Sequence, residues 1–245
     1  MDLADHIRLH RHQAAWTRPM RRELYRRVRL ASRKLALDVG CGDGNITREM
    51  AAICKGQVIG VDHDPAMIAE AKKGQGRAEY QTGDAYKLPL ERGAADLIAC
   101  HWLMLWLQEP LRALKEFRRV LAPGGALLIA CEPDYGGRMV SPPDAELKDE
   151  LIAALREQGA NPLIGRHLPG LLRAAGFSAS CGLYPGLWDS AVSREQWQAE
   201  EDWLKTTLKN HMPLEKLNSA LAALCKSQEA QSLLMFTPVF WAMGA

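Results

Sequence analysis

Short apolar segments alternate with helical patterns along the first half of the chain, and this alternation constrains the fold more than any other feature. Segments with the length and content of strands lie at 35–39, 57–61, 78–82, 95–100 and 126–131. Helical patterns lie between them, at about 45–54, 65–73 and 109–121. Alternation at this spacing predicts an α/β fold with a parallel sheet covered by helices on both faces.

The second half of the chain has a different pattern. It predicts helices at about 144–158 and 166–175, a strand over 177–184, a long polar helical stretch over 190–231 and a closing strand over 233–244. We therefore expect a core of 35–185 and 233–245. An N-terminal basic helical lid (1–34) and a helical insertion that covers the substrate (186–232) complete the predicted organisation.

A glycine-rich turn, LDVGCGDGN (37–45), follows the first predicted strand. Gly40, Gly42 and Gly44 permit a sharp turn and a close backbone approach to a ligand. The spacing is G-x-G-x-G and not the dinucleotide pattern G-x-G-x-x-G. Asp38 and Asp43 would repel a phosphate at the start of the following helix. The turn therefore favours a ligand with a cationic centre and an amino group.

Further polar residues come directly after the other predicted strands. These are Asp62, Asp84, the pair Cys100–His101, and Glu132. Asp62 lies 22 residues after Gly40, the distance at which an acid reaches a ribose hydroxyl pair. Because parallel strands end at one edge of a sheet, we expect a single site there.

These motifs resemble, in order, those of class I S-adenosylmethionine-dependent methyltransferases of the small-molecule, UbiE-like group. The resemblance covers about 35–131 and includes LDVGCGDG, GVDHDPAMIAEAKK, GDAYKLPL and LKEFRRVLAPGG. It implies S-adenosylmethionine as cofactor. It also implies a Rossmann-like, doubly wound, seven-stranded sheet whose last strand is antiparallel.

The resemblance also assigns roles. Asp38, Gly40, Cys41 and Gly42 would surround the methionyl part of the cofactor, with Cys100 and His101 on its other side. Asp62 would hold the ribose, and Asp84 with Ala85 the adenine, beside His63. Methyl transfer is an in-line displacement that needs a base only if the acceptor must lose a proton. The candidates for such a catalytic role are His101, Glu132, Tyr135 and, less favoured, His167.

Charge is distributed unevenly, although the net charge is only +2. Residues 8–34 carry ten Arg or Lys and a single acid, Glu23. Within them Trp16, Met20, Leu24 and Val28 form one apolar stripe, which predicts an amphipathic helix with Pro19 in its first turn. Such a helix could be docked with a solvated basic face, could be a lid, or could bind an acidic substrate, RNA or an anionic membrane.

Several function classes are disfavoured. The longest apolar stretch, 97–107, is too short to span a membrane. The six cysteines show no zinc-ligand spacing, so we expect no metal. The cysteines are isolated from one another, and the N-terminal residues do not resemble a signal peptide. Both features favour the cytoplasm. No tyrosine begins the Y-x-x-x-K motif of short-chain dehydrogenases. A non-catalytic cofactor-binding protein would have lost the acids at the strand ends, and this sequence keeps them.

The loop after the fifth strand, EPDYGGR, is the expected acceptor pocket, with Glu132, Tyr135, Arg138 and Arg166 as its polar groups. We expect a small-molecule substrate and a monomer or homodimer. An RNA methyltransferase that uses the basic arm is the alternative, ranked lower because no RNA-binding module is recognisable.

Overall fold

A computed structural model describes residues 3–141, 145–188 and 193–245, and it contains eight strands in one mixed sheet. The strands are β1 (Leu35–Val39), β2 (Gln57–Asp62), β3 (Glu79–Thr82), β4 (Ala95–Cys100), β5 (Leu121–Pro133), β6 (Met139–Ser141), β7 (Ala179–Trp188) and β8 (Leu234–Gly244). The first five are parallel, and β8 is antiparallel to β5, β6 and β7. The predicted Rossmann-like architecture with an antiparallel last strand is confirmed.

Eight helices surround this sheet in the described part of the chain. They are α1 (Leu3–Arg27), α2 (Asn45–Ile53), α3 (Pro65–Ala71), α4 (Pro110–Val120), α5 (Ala145–Glu157), α6 (Leu168–Ala174), α7 (Arg194–Leu208) and α8 (Leu214–Glu229). Asp64 caps α3 by accepting a hydrogen bond from the Ala66 N–H, and Pro65 occupies the first turn.

The strand order β3-β2-β1-β4-β5-β8 places β1 between β2 and β4. The chain therefore moves outward in opposite directions on the two sides of β1. In open α/β sheets the crevice at such a reversal, at the carboxyl ends of the strands, is where ligands bind.

The eighth strand is one more than predicted, because β6 (Met139–Ser141) is not among the predicted strands. β8 pairs with β7 over Met235–Gly244 along one side. On its other side it pairs with β5 as far as Val239 and then with β6. The part of β8 beyond β5 would otherwise leave backbone groups unpaired, so even a short segment after Gly137 is recruited to the edge.

Two apolar clusters cover the two faces of the sheet. Successive residues of β4 alternate between them, since Leu97 belongs to the cluster with α1 and α2 and Ile98 to the cluster with α4. The first cluster includes Leu24 and Met50, and the second includes Phe117. This alternation follows from the two-residue period of a strand and explains why the central strands are apolar throughout.

The N-terminal helix is longer than the sequence pattern predicted. α1 begins at Leu3, so Pro19 lies inside the helix and not in its first turn. Proline removes one backbone hydrogen bond there, but Ala14 and Thr17 before it are buried and packing keeps the helix continuous. The predicted stripe is confirmed for Met20, Leu24 and Val28, which are buried. Trp16 is half-buried.

Two other boundaries were wrong. The stretch predicted as helical over 190–231 is two helices, α7 and α8, because the chain turns before Pro213, which cannot continue a helix. Strand β7 runs on to Trp188, beyond the predicted end at 184, because β8 offers a pairing edge along its whole length. Within the described ranges, no helix combines the length and apolarity needed to cross a membrane.

Burial in the α4 cluster predicts a large stability difference between two leucines. Leu114 of α4 is fully buried, whereas Leu214 at the start of α8 is 62% exposed. We expect Leu114→Ala to lower the free energy of unfolding by about 2–5 kcal/mol, because it removes packed methyl groups and leaves a cavity. Leu214→Ala, the same chemical change on the surface, should cost under about 1 kcal/mol. Urea unfolding followed by circular dichroism measures both, and equal losses would contradict the assigned core.

Candidate functional site at the carboxyl edge of the sheet

The turn after β1 requires glycine at three positions. Gly40, Gly42 and Gly44 have φ values of +75°, +52° and +74°, which side chains rarely adopt. A Cβ atom at Gly40 would lie 2.9 Å from the Leu103 side chain, and one at Gly44 would lie 2.7 Å from Tyr80. The turn is therefore a closely lined cradle in which every glycine is needed for conformation and for space.

The backbone N–H groups of this turn are already used inside the protein. Those of Gly40 and Cys41 donate to the Val61 carbonyl oxygen, at 2.8 and 3.1 Å. The Gly42 N–H donates to the Asp62 carboxylate at 2.8 Å. A phosphate-binding turn needs such donors free, so this one is unsuited to a pyrophosphate. The nearby carboxylates instead suit amino and hydroxyl donors of a ligand.

Asp38 lies beneath the turn and is only 2% exposed. Its carboxylate accepts a hydrogen bond from the Thr47 hydroxyl at 2.6 Å. Burial raises the pKa of Asp38 from its ordinary value to about 6, although the Thr47 bond and the charge of Arg21 oppose the shift. Near neutral pH this buried carboxylate is available for a cationic amino group.

Asp62 lies at the end of β2 with its carboxylate fixed on both oxygens. One oxygen accepts from the Gly42 N–H and the other from the Asp64 N–H at 3.0 Å. Each oxygen keeps a lone pair, so the group can still accept from a pair of ligand hydroxyls. His63 is exposed, with its Nδ1 3.4 Å from Asp62.

Asp84 and Ala85 lie at the outer end of the same edge. Gly83 donates its N–H to the Asp62 carbonyl oxygen at 2.9 Å, which brings the β3 turn against the end of β2. Asp84 is exposed, and its Oδ1 accepts from the Tyr86 N–H at 2.8 Å. The described residues thus arrange carboxylates in a row from the glycine cradle to the edge. These carboxylates are hydrogen-bond acceptors suited to a ligand with amino and ribose hydroxyl groups.

Cys100 and His101 end β4 beside the cradle. Burial raises the pKa of the Cys100 thiol well above its usual range, so the thiol stays protonated. Burial also lowers the pKa of His101 well below 6.5, helped by the charge of Arg21, so the ring is neutral. Its Nε2 lies 3.0 Å from the Thr17 hydroxyl of α1. In this state His101 joins β4 to α1.

Glu132 is fully buried and accepts three backbone hydrogen bonds from the segment after β4. The donors are the N–H groups of Leu103 and Met104, each at 2.9 Å, and of Leu105 at 3.2 Å. Burial raises the pKa of Glu132 to about 8, and the three N–H groups oppose that shift. This segment includes Trp102, whose φ of +55° is unusual for a bulky residue. Glu132 therefore fixes the shape of the loop that follows β4.

Residues of α1 that the sequence did not single out cover the cradle. His10 lies above Gly42, where a Cβ atom would be 2.8 Å from its Nδ1. Arg11 pairs with Asp43 at 3.4 Å. Arg21 is 1% exposed and donates to the Ala14 carbonyl oxygen and to Glu49 at 2.8 and 2.7 Å. The position of Arg21, three residues before Leu24 on the apolar stripe, was the one sequence signal that it would be buried.

A second cavity, with a volume of about 40 Å³, lies between α1, α7 and strand β8. Four aromatic rings contribute to its wall: Trp16, Trp102, Tyr135 and Trp203. Trp16 meets Trp102 edge-on, and Trp203 stacks on Tyr135 at 5.9 Å. Trp102 belongs to the loop fixed by Glu132, so this cavity adjoins the methionyl end of the proposed cofactor site.

Arg138 and Glu200 supply the charges of this cavity. Arg138 is 4% exposed, and its Nη1 donates to Glu200 at 3.2 Å. Its Nη2 faces the Met235 sulfur at 2.9 Å, a weak acceptor. Sequence analysis did not predict Glu200 as a buried site residue, because it is one of many polar residues in α7. Its burial depends on α7 packing against α1 and α5.

The structure brings most of the predicted site residues to one edge and leaves a few apart. Asp38, Cys41, Asp62, Cys100 and Glu132 lie at the carboxyl ends of neighbouring strands or in the turn directly after one. Arg166 pairs instead with Asp134 and is half-exposed, and His167 is exposed. Among the described residues no group of three His, Cys, Asp or Glu side chains is placed to hold a metal ion. The insertion predicted to cover the substrate (186–232) contains Trp188, whose side chain lies outside the described residues.

Comparison with known proteins places the chain among methyltransferases. The family model described as a methyltransferase domain matches residues 37–129. Trans-aconitate 2-methyltransferase of Methylobacterium radiotolerans is 31% identical over 203 residues, which are 78% of this chain and 74% of that relative. An uncharacterised protein of a Streptomyces fradiae transposon is 35% identical over 58% of this chain, and the match spans only 43% of that relative.

Similarity to solved structures extends over nearly the whole chain. The YcgJ protein of Bacillus subtilis superposes with a TM-score of 0.58 at 18% identity, covering 91% of this chain and 97% of that one. At such low identity the likeness concerns the fold.

Gly42 and Gly124 provide a matched test of the cradle. Both have positive φ, but a Cβ atom at Gly124 would have no heavy atom within 4 Å, whereas one at Gly42 would clash with His10. Both Ala variants carry the same kind of backbone strain, about 1 kcal/mol. We expect only Gly42→Ala to weaken S-adenosylmethionine binding, by at least tenfold, in calorimetric titration. Equal affinities for the two variants would remove the cradle from the cofactor site.

Burial of Asp38 predicts a pH-dependent stability difference. Because its pKa is raised to about 6 in the folded protein, the protonated form is favoured by folding. The wild type therefore loses this contribution as pH rises from about 4 to about 6. Asp38→Asn removes the ionisation and can keep the Thr47 bond, so its stability relative to wild type should rise by about 3 kcal/mol across that window. Urea unfolding at pH 4, 5, 6 and 7 measures it, and a constant difference would contradict the burial argument.

Proposed function

Because this chain belongs to the class I S-adenosylmethionine-dependent methyltransferases, we propose that it methylates an oxygen of a small carboxylate acceptor. The family assignment rests on a relative that is 31% identical and matched over 74% of its length. The nature of the acceptor is our inference from the second cavity. The observation that carries it is the buried guanidinium of Arg138, which has only a thioether opposite one of its amino groups.

The residues of the crevice suit the cofactor of this family. Asp62 would accept from the ribose hydroxyls, and Asp84 with Ala85 would hold the adenine. Asp38, the turn Gly40–Gly42 and the Cys100–His101 segment would surround the methionyl part. When bound, the cofactor supplies a methyl group made electrophilic by a sulfonium. The chain's own contribution is to orient the acceptor and to keep water away.

The acceptor side is aromatic and nearly closed. The four rings of the second cavity exclude water, and a dry environment strengthens the attraction between a guanidinium and an anion. A carboxylate would be a far better partner for Arg138 than the Met235 sulfur. Glu200, already bonded to Arg138, would hold the guanidinium in place. At about 40 Å³ the cavity is too small for most substrates, so α1 or α7 must shift to admit one.

A carboxylate acceptor also agrees with the state of the candidate proton acceptors. Its oxygen is ionised near neutral pH, so no proton has to be removed. His101 is a neutral ring engaged with Thr17, and Glu132 is engaged with three backbone N–H groups. Burial raises the pKa of Tyr135, which keeps its hydroxyl protonated as a donor. We therefore assign Glu132 a positioning role and His101 and Tyr135 contacts with the reactants.

The name of one relative supports this choice of acceptor. Trans-aconitate, named in the Methylobacterium radiotolerans methyltransferase, is a carboxylate. The identity of 31% does not transfer that substrate to this chain. It does make small carboxylates the first class to assay.

The proposal is tested by methyl transfer from tritiated S-adenosylmethionine to a panel of carboxylates, primary amines and phenols. We expect carboxylates, trans-aconitate among them, to be labelled as base-labile esters. The double variant Arg138→Gln with Glu200→Gln removes both charges together, so that neither is left buried alone. It should raise the KM for the carboxylate at least tenfold while cofactor affinity stays within twofold.

Arg194→Gln is the matched control, since Arg194 is exposed on the same helix as Glu200. It should leave the KM unchanged. Labelling of amines or phenols alone would overturn the carboxylate assignment and keep the methyltransferase. An unchanged KM in the double variant would remove Arg138 from the acceptor site.

A further inference from the structure

A concave surface on the described molecule lies apart from the crevice. It lies along the outer face of α1, has a volume of about 900 Å³ and is open to solvent. We call it the arginine groove. Its rim consists of Arg18, Arg22, Arg26 and Arg29, and its other lining residues are Ala15, Pro19, Tyr25, Leu30, Ala31 and Ile53.

Charge is concentrated along one side of the groove. Arg18, Arg22 and Arg26 follow one another at intervals of four residues, so they form a row with one charge per helical turn, roughly 6 Å apart. Glu23 pairs with Arg26 and Arg27, and Glu49 lies 3.8 Å from Arg18. Within the described ranges, no carboxylate lies within 4.0 Å of Arg22 or Arg29. The rim therefore keeps a net positive charge.

The floor of the groove, between the arginine side chains, is apolar. Pro19, Ala31 and Ile53 contribute accessible surface to it from α1, the following turn and the end of α2. The lining thus combines a row of cations with an apolar surface below them. A ligand that satisfies both must carry anionic groups spaced by about one helical turn and apolar groups that enter the concavity.

Two common anionic partners satisfy only half of this requirement. A membrane surface is flat and cannot reach an apolar floor that lies below its rim. Single-stranded RNA relies on bases stacked on exposed rings, but the ring of Tyr25 is only 2% exposed. Its sugar–phosphate backbone gains nothing from an apolar floor.

We propose that the arginine groove binds an amphipathic helix of an acidic partner protein. Apolar side chains of that helix would lie on the floor of Pro19, Ala31 and Ile53. Carboxylates at i and i+4 of the partner would face Arg18, Arg22 and Arg26, which have the same spacing. This interaction does not depend on the identity of the methyl acceptor, because none of the residues that line the groove is among those assigned to the cofactor or to the acceptor.

The probe for this surface is a fluorescein-labelled, 18-residue helical peptide of Leu, Ala and Glu. It carries a leucine stripe flanked by Glu pairs at i and i+4. We expect fluorescence anisotropy to show binding that weakens with salt. Arg22→Glu with Arg26→Glu should weaken it at least tenfold. A peptide with Gln in place of each Leu should also bind at least tenfold more weakly, because it cannot use the floor.

The control variant is Arg92→Glu with Arg194→Glu, which makes the same change in net charge at two exposed arginines elsewhere. It should keep peptide affinity within twofold, and both variants should keep cofactor affinity, which shows that they fold. Equal weakening by the control would reduce the effect to net charge and overturn the proposal. Absence of peptide binding would also overturn the proposal. So would binding of polyuridylate or of phosphatidylglycerol vesicles in place of the peptide, if Arg22→Glu with Arg26→Glu abolishes that binding.

Discussion

The left-handed turn after β1 is the constraint on which the rest of the site depends. Three glycines reverse the chain in five residues, and the Val61 carbonyl and the Asp62 carboxylate hold the turn from the neighbouring strand. The same bonds that shape the turn use up its N–H donors. A structure that could have been an anion site therefore becomes one lined with carboxylates, suited to a ligand with amino and hydroxyl groups.

The N-terminal helix turns this open edge into an enclosed site. Its inner face carries Thr17 and Arg21, which reach β4 and α2, while His10 lies over the glycine turn. A buried arginine costs free energy unless it is paired. Arg21 is paired through the Ala14 carbonyl oxygen and the Glu49 carboxylate, although its Nε has no hydrogen-bond partner. Since α1 and α7 form walls of the cavity proposed for the acceptor, the proposal requires the helices that exclude water to move for exchange of substrate and product.

Features encoded in local pattern were predictable from the sequence. The five parallel strands, the Asp64 cap and the edge position of Asp62 follow from apolar periodicity and turn residues. Contacts between distant segments were not predictable. The pair of Arg138 and Glu200 joins residues 62 positions apart, and β6 exists because β8 has an unpaired edge. Pro19 was misread because packing of neighbouring residues, and not local propensity, keeps α1 continuous.

The most direct test of this account is calorimetric titration of the whole chain with S-adenosylmethionine, S-adenosylhomocysteine and NAD. A crevice lined by carboxylates, with its turn N–H groups already bonded, predicts micromolar binding of both adenosyl ligands and no binding of the dinucleotide. Binding of NAD, or of neither adenosyl ligand, would contradict the assignment of the strand-edge acids to the cofactor.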